Sequence, residues 1–273
     1  MIDVLESSIC HVVITPFLVR SHSLRLPSEQ WCRERVDLFN SFCLPSVASQ
    51  TCGAFDWLIF IDYESPDWLK RYLRSLNGVA HESIIEIGGA LSSSEVRQAL
   101  GRRQSAGHLL TSRLDNDDAL GRSFVHTLQT AARAELGSRV CFNFDNGLQT
   151  SRFGTTELTD LSNPFVSLLE PWGPSPATVV GLSHHEITKS FRTIHIQGPP
   201  AWMQVIHGGN LGNFLRSARP IESVHQGNFD VTKDLHGPSI LGRLQITCLR
   251  LLRVAQLRSR RVVRMLWKEL PAR

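Results

Sequence analysis

The sequence predicts an α/β fold in which a mixed, mostly parallel sheet is flanked by helices. Three observations favour this class. Apolar, β-rich runs alternate with helical patterns over residues 1–136, as βαβ units require. Residues 55–63, FDWLIFIDY, contain a continuous apolar run, which is typical of a strand covered on both faces. Acids end two of these runs, at Asp62 and from Asp115 onward, where parallel sheets bind their ligands.

The predicted strands are rich in apolar and β-branched residues and end at Pro, Gly or acidic residues. They comprise residues 10–17, 55–63, 81–87, 108–114, 139–144 and 202–207. We expect a hairpin or a loop at residues 150–160. Residues 163–181 are rich in Pro, Ser and aromatic residues, so we expect irregular structure there.

The predicted helices carry apolar residues at helical spacing. The first follows the capping residue Ser28. Pro45 is expected to break or kink it, so a second short helix is expected to run to Gln50. The others comprise residues 66–76, 92–101 and 120–136.

Composition and charge narrow the class of protein. The 273 residues are 42% hydrophobic and 20% charged, as in a globular protein with a core. The net charge is +4, but residues 239–273 hold nine Lys/Arg and one acid, so this tail carries +8 and the remainder −4. An acidic body with a basic tail argues against a nucleic-acid reader built around one basic face.

The six cysteines form no CxxC pair, and no His spacing indicates zinc. The first residues lack the basic start and apolar core of a secretory leader, and no run approaches the roughly 20 apolar residues of a spanning helix. We therefore expect a cytoplasmic protein with reduced thiols.

The segment HLLTSRLDNDDAL places an acidic turn directly after a strand. Asp115, Asp117 and Asp118 are three acids within four residues, so a cation is expected among them, and a hard divalent ion with oxygen ligands is the natural candidate. On an extended segment Asp115 and Asp117 point to one side and Asp118 to the other. The alternative is an acidic turn that caps the next helix. Arg113 could contact a diphosphate or form a structural ion pair.

The order of several motifs resembles a known fold family. The segments HVVITPF, CLPSVASQT, DWLIFID and RLDNDDAL occur in the order found in GT-A glycosyltransferases. The similarity is closest to the bacterial family described as "putative rhamnosyltransferases", in which NPFVSLLEP and AWMQVIHGGNLGN also match. The resemblance covers residues 10–215.

This resemblance implies a metal-dependent glycosyltransferase of GT-A fold in polysaccharide biosynthesis. It would move a hexose, with rhamnose as the family's candidate, from a nucleotide-sugar donor to a glycan or a lipid-linked acceptor. Mn²⁺ or Mg²⁺ would neutralise the charge that develops on the departing diphosphate. Residues 1–236 would form the transferase domain, with residues 1–136 on the nucleotide-sugar side and 137–236 on the acceptor side. Residues 237–273 would form a basic amphipathic helix.

The resemblance also assigns roles to individual residues. The implied metal ligands are Asp115, Asp117, Asp118 and His207. The implied substrate-binding residues are Asp62, Arg113, Asp115, Asn116, Trp202 and Asn210. His184 and His185 compete with His207 as the additional ligand, and Glu186 beside them is a further alternative. Asp62 is equally consistent with a turn acid before Pro66.

Two further assignments concern the acceptor side. An inverting transfer needs a general base, and Glu170, in the family-like stretch PFVSLLEP, is the candidate. Trp172 and Trp202 could stack on a sugar face, although a buried core position is the alternative for each.

Other functions and another role for the tail stay open. The tail suits a peripheral contact with the inner, anionic face of a membrane, or a helix packed on the body. A nucleotidyltransferase with a similar sheet and a non-catalytic sugar-binding relative are the alternative functions. The stretch TPFLVRSHSLR after the first strand has no Gly, which argues against a phosphate-binding glycine loop.

Overall fold

The computed structural model describes residues 8–20, 27–76, 81–101, 107–207, 214–216 and 219–252. Within this part, the predicted mixed, mostly parallel sheet flanked by helices is confirmed. A second, smaller sheet packs beside it.

The large sheet has seven strands, which we number with those of the small sheet in chain order. Its order is β10-β6-β9-β4-β1-β2-β3. The strands are β1 (Ile9–Leu18), β2 (Asp56–Asp62), β3 (His81–Ile87), β4 (His108–Arg113), β6 (Val140–Phe144), β9 (Ser167–Pro171) and β10 (Arg192–Ile196). Only β9 runs antiparallel to its neighbours, so the carboxyl ends of the other six strands meet at one edge.

The small sheet has the order β5-β11-β7-β8. Its strands are β5 (Ala119–Leu120), β7 (Asn146–Ser151), β8 (Gly154–Thr159) and β11 (Trp202–Ile206). Strands β7 and β8 form a hairpin. A hairpin was one of the two structures predicted for residues 150–160, the other being a loop. Because β5 directly follows the acidic turn and pairs with β11, this sheet begins beside the carboxyl end of β4.

The helices cover both faces of the large sheet. They are α1 (Glu29–Leu38), α2 (Leu44–Ala48), α3 (Asp67–Arg74), α4 (Ser93–Leu100), α5 (Phe124–Arg133), α6 (His184–Ser190), α7 (Ser223–Gln226) and α8 (residues 240–252). The predicted capping role of Ser28 is present, since its hydroxyl accepts the Trp31 N–H. The rest of the predicted tail helix, residues 253–273, lies outside the described residues.

Two buried clusters divide the core. One joins α1, α2, α3 and α5 to one sheet face through Phe39, Trp57 and Phe124. The other joins α4 and α6 to the opposite face through Leu58, Leu168 and Ile187. The side chains of β2 between Trp57 and Ile61 are buried on both faces, as its continuous apolar run predicts.

The structure differs from the predicted elements in a few places. The second short helix expected in this region is present as α2, but the interruption lies before Pro45, at the π-helical turn Phe39–Cys43. Pro45 lies in the first turn of α2, where its missing N–H costs nothing. The helix predicted from residue 120 begins at Phe124, because Ala119 and Leu120 pair with β11. The stretch expected to be irregular contains β9.

None of the described helices is both long and apolar enough to cross a bilayer.

Candidate active site

The acidic turn lies at the carboxyl ends of β4 and β1. Arg113, the last residue of β4, pairs with Ile14 of β1, and the Leu114 N–H bonds to the Ile14 carbonyl at 3.0 Å. Asn116 donates from Nδ2 to the Phe17 carbonyl at 2.6 Å. The buried amide of Asn116 therefore fixes the turn to the end of β1, rather than facing a substrate as the sequence implied.

Asp117 is held between two cationic or hydrogen-bonding side chains. Its Oδ2 accepts a bond from Arg35 Nη1 at 2.5 Å and one from His207 Nε2 at 2.9 Å. Burial raises the pKa of the Asp117 carboxyl, but the His207 hydrogen bond and the Arg35 charge outweigh it, and the pKa falls below its ordinary value. The structure thus brings together Asp117 and His207, two of the predicted metal ligands.

Asp118 points into the small sheet instead. Its Oδ1 accepts the Val205 N–H of β11 at 2.8 Å, and its side chain is buried. Burial and the charges of Asp117 and Asp115 raise the pKa of the Asp118 carboxyl well above its usual value. The turn therefore crowds three acids together, and a nearby cation would favour the ionised form of Asp118.

Asp115 is the most exposed acid of the turn. Arg113 Nε donates to its Oδ1 at 3.0 Å, and each of the two side chains is 33% exposed. An exposed ion pair at a sheet edge contributes little to stability. Both groups are therefore accessible to a ligand. The contact with Asp115 is the ion pair that was one of the two roles considered for Arg113.

Asp62 lies at the same edge, two strands away, with β1 between. Its carboxylate is buried and accepts the Glu64 N–H at 2.8 Å, while Arg20 Nε lies 2.8 Å from Oδ2. By accepting the Glu64 N–H, Asp62 acts as a turn acid, which was one of the two roles that the sequence allowed. Arg20 adds a cation that the sequence did not indicate.

A cavity of about 210 Å³ opens near this edge between α6 and β11. It is lined by Asp160, Ser162, Pro164, His184, His185, Gln204, Phe214 and Arg216. The charge of Arg113, at the end of β4, acts on His184 in this cavity, so the cavity lies near the acidic turn.

His184 is the half-buried histidine of that cavity. Burial, the His185 ring 4.0 Å away and the charge of Arg113 lower the pKa of His184 to about 4, against the opposing charge of Asp160. At neutral pH its imidazole is uncharged and can accept a proton. His185 is exposed, and its Nδ1 lies 3.0 Å from Ser162 Oγ.

Glu170 lies elsewhere. It pairs with Leu109 near the amino end of β4, because β9 runs antiparallel. Its oxygens accept the Ala177 and Thr178 N–H groups at 3.0 and 2.9 Å, and its side chain is completely buried. A carboxylate held by its own chain at the far end of the strand does not fit the predicted role of general base.

Trp202 and Trp172 also differ from sugar-stacking residues. Trp202 is completely buried, stacks on Phe165 at 4.9 Å and donates its indole N–H to the Phe144 carbonyl at 2.7 Å. Trp172 packs on the core cluster beneath α4 and α6. Both therefore take the core role that was the alternative. Asn210 lies outside the described residues, and Glu186 is used to complete the capping box of α6.

Arg35 belongs to the site, although no motif in the sequence pointed to it. Its guanidinium lies 4.7 Å from the Trp31 ring centroid, and it is buried beside Asp117. The available signal was its spacing, because Trp31, Arg35 and Phe39 fall four residues apart on the apolar stripe of α1. A charge on a buried stripe requires a partner of opposite charge.

The donor set of the turn fits a hard divalent cation in kind, since it offers the carboxyl oxygens of three acids within four residues. The side chains of the turn are not arranged as a preformed metal site. Across the described residues, no three His, Cys, Asp or Glu side chains are grouped so as to hold a metal ion. Asp117 would have to exchange Arg35 or His207 for the ion.

Residues 20–218 match the model of a protein family described as "Putative rhamnosyl transferase". This match, over well more than half of the chain, confirms the resemblance found in the sequence. It spans the acidic turn, Arg35, His184 and His207. No curated protein matches the sequence.

Solved structures give weaker similarities. The 1–349 fragment of S. aureus TarS in complex with UDP-GlcNAc has a TM-score of 0.43 and 11% identity, over 74% of this chain and 60% of that one. A structure from Desulfovibrio desulfuricans G20, described as a "putative nucleotide-diphospho-sugar transferase", has a TM-score of 0.35 and 8% identity, over 72% and 80%. This chain thus spans 60% of the TarS fragment, and neither similarity carries an argument.

Proposed function

The chain belongs to this rhamnosyl transferase family, and from that premise we propose that it transfers a sugar from a nucleotide-diphospho-sugar to a hydroxyl group of an acceptor. The proposal is supported by the cluster of charged side chains at the carboxyl edge of the sheet. In this cluster Asp117 lies between Arg35 and His207, and Asp118 accepts a hydrogen bond from β11. We propose further that the transferred sugar is a hexose, with rhamnose as the family's candidate. The proposed acceptor is a glycan or a lipid-linked molecule.

The donor diphosphate would lie at the acidic turn. Asp115, Asp117, Asp118 and His207 are the residues that would hold Mn²⁺ or Mg²⁺, which neutralises the charge of the leaving diphosphate when bound. Arg113 is exposed enough to exchange Asp115 for a phosphate oxygen. The hydrogen bond from His207 and the charge of Arg35 keep Asp117 ionised and fixed in place.

The acceptor would enter the cavity between α6 and β11, and His184 replaces Glu170 as the proposed general base. The neutral imidazole of His184 would take the proton of the attacking hydroxyl group as the new glycosidic bond forms and the bond to the diphosphate breaks. A bound diphosphate would offset the positive charges of Arg113 and Arg216, and so raise the low pKa of His184 toward a range in which it is an effective base.

A panel of dTDP-, UDP- and GDP-linked hexoses tests the donor, with thermal stabilisation measured with and without Mn²⁺. We expect one nucleotide to stabilise the protein, and Mn²⁺ to strengthen that effect. Asp117→Asn should remove the metal effect. The matched control is Asp230→Asn. Asp230 is a half-exposed acid outside the acidic turn, and its carboxylate lies 3.2 Å from the Arg122 guanidinium.

Product analysis separates the alternatives. A transferase releases a nucleoside diphosphate from the donor, whereas a nucleotidyltransferase releases inorganic diphosphate from a nucleoside triphosphate. A non-catalytic relative would bind the donor and leave it intact. Stabilisation that is unaffected by metal would contradict the metal part of the proposal alone.

A further inference from the structure

Helix α8 touches the body along a narrow line. Ile246 is completely buried, and Gly242 lies so close to the Phe153 carbonyl that an added Cβ would be 2.9 Å from its oxygen. These two positions are four residues apart and share one face of the helix. The helix is therefore docked on the body by one side, and its other sides face solvent.

The solvent side of α8 is apolar. Six of the nine large hydrophobic side chains that are exposed in the described chain belong to this helix. Five of them are 59% to 80% exposed, and they are Ile240, Leu241, Leu244, Leu251 and Leu252. At 100° per residue these five fall within about a third of the helix circumference, centred opposite the buried Ile246. The result is a continuous apolar stripe rather than scattered exposed residues.

Positive charge accompanies the stripe. Arg243 and Arg250 lie within α8, and residues 253–273 add seven Lys/Arg and one acid. A second copy of the chain would bring one strongly basic segment against another, which is unfavourable. An anionic surface that also accepts apolar side chains satisfies both features together.

We propose that α8 is a docking surface for an anionic phospholipid bilayer. Its leucines would enter the boundary between headgroups and acyl chains, and the basic residues would bind the lipid phosphates. Because this surface does not involve the acidic turn, the inference stands apart from the proposed catalytic function. If the acceptor is lipid-linked, docking would also bring it to the enzyme.

Flotation of the full chain with lipid vesicles tests the proposal. We expect the protein to float with phosphatidylcholine vesicles that contain phosphatidylglycerol, and not with phosphatidylcholine alone. The double variant Leu244→Ser, Leu251→Ser should lower partitioning at least about tenfold. Arg243→Gln should lower it by about fivefold, and added salt should weaken binding further.

The matched control is Leu161→Ser, because Leu161 is 59% exposed, as Leu244 is, but lies on the body. Circular dichroism checks that each variant keeps its fold. Equal binding to both kinds of vesicle, no binding to either, or an unchanged double variant would overturn the proposal. So would a lipid-independent dimer that the double variant dissociates, since the stripe would then cover a second copy.

Discussion

The two ends of strand β4 each carry buried acids, but the acids are bound in different ways. At the amino end, Glu170 of the neighbouring β9 accepts two backbone N–H groups and lies 3.1 Å from Arg139. At the carboxyl end, Asp117 and Asp118 share a turn with Asp115, and burial together with the charges of Asp117 and Asp115 raises the pKa of Asp118. Glu170 is a single acid bound by backbone N–H groups and one Arg, whereas the turn crowds three acids within four residues.

This difference separates a structural carboxylate from a functional one. Removing Glu170 would leave buried backbone donors without acceptors, so the fold should lose stability. Removing one acid of the turn also relieves repulsion within it, so activity should suffer more than stability. Substitutions at the two ends of β4 should therefore differ in whether they lower the rate or the stability.

We expect Asp117→Asn to lower the rate of nucleotide-sugar turnover by about a thousandfold or more, because an anchor for the developing diphosphate charge is lost. Steady-state release of the nucleoside diphosphate measures it. The cost in the free energy of unfolding should stay below the ~3 kcal/mol of a broken buried ion pair, since repulsion with Asp115 and Asp118 is relieved. Normal turnover with a large loss of stability would make the turn structural.

His184→Ala should lower kcat by about a hundredfold or more and leave donor binding unchanged, because the proposed base acts only in the transfer step. Since the active form is the neutral imidazole, the wild-type rate should fall as the pH drops through the pKa of His184, and the variant should lack that acid limb. His185→Ala is the control, because the exposed His185 contacts Ser162 instead. Equal effects of the two substitutions would argue for a packing role.

Glu170→Ala should destabilise the fold by about 3 kcal/mol, because the Ala177 and Thr178 N–H groups lose their acceptors. Urea unfolding measures this loss, and kcat of the folded fraction should not change. A hundredfold fall in kcat with normal stability would restore Glu170 as a candidate base and contradict its placement.

The smallest effect concerns His11, in the middle of the sheet between these two ends. His11 Nε2 lies 2.9 Å from Ser112 Oγ, and burial lowers the pKa of His11 to about 3. Below about pH 6.5 the unfolded chain takes up a proton at His11 and the native chain does not. The free energy of unfolding therefore decreases as the pH is lowered. At pH 5 the wild type should lose ~2 kcal/mol.

The comparison variant is His11→Gln, unfolded in urea at pH 7 and pH 5. It should lack the His11 share of that pH dependence, so the difference between the two proteins isolates one histidine. Parallel pH profiles for both would show that His11 is protonated in the native state.

The sequence predicts the strands and the acidic turn well, because both are local patterns. The run DWLIFID and the acids after Arg113 identify their strand ends without knowledge of distant residues. The partners of those acids could not be predicted in this way. Arg35 reaches Asp117 across 82 positions of sequence, and only the packing of α1 against β1 brings them together.

Glu170 shows the opposite failure. Its motif lies in the matched part of the family, but motif order says nothing about strand direction. Because β9 is antiparallel, Glu170 faces the far end of β4. For Trp202, composition could not distinguish a sugar platform from a core residue, and its contact with Gly147, where an added Cβ would lie 2.2 Å from the indole ring, shows how tightly it is enclosed.

The π-helical turn Phe39–Cys43 sets the angular phase between two functional helices. Before it, α1 aims Arg35 at Asp117, and after it α2 offers Ser46, whose Oγ accepts the Leu120 N–H at 3.2 Å. Losing one residue here would restore an uninterrupted α-helix and rotate Arg35 by about 100° relative to Ser46. A single-codon deletion would therefore disconnect the counter-ion from the acidic turn without altering any residue of the site.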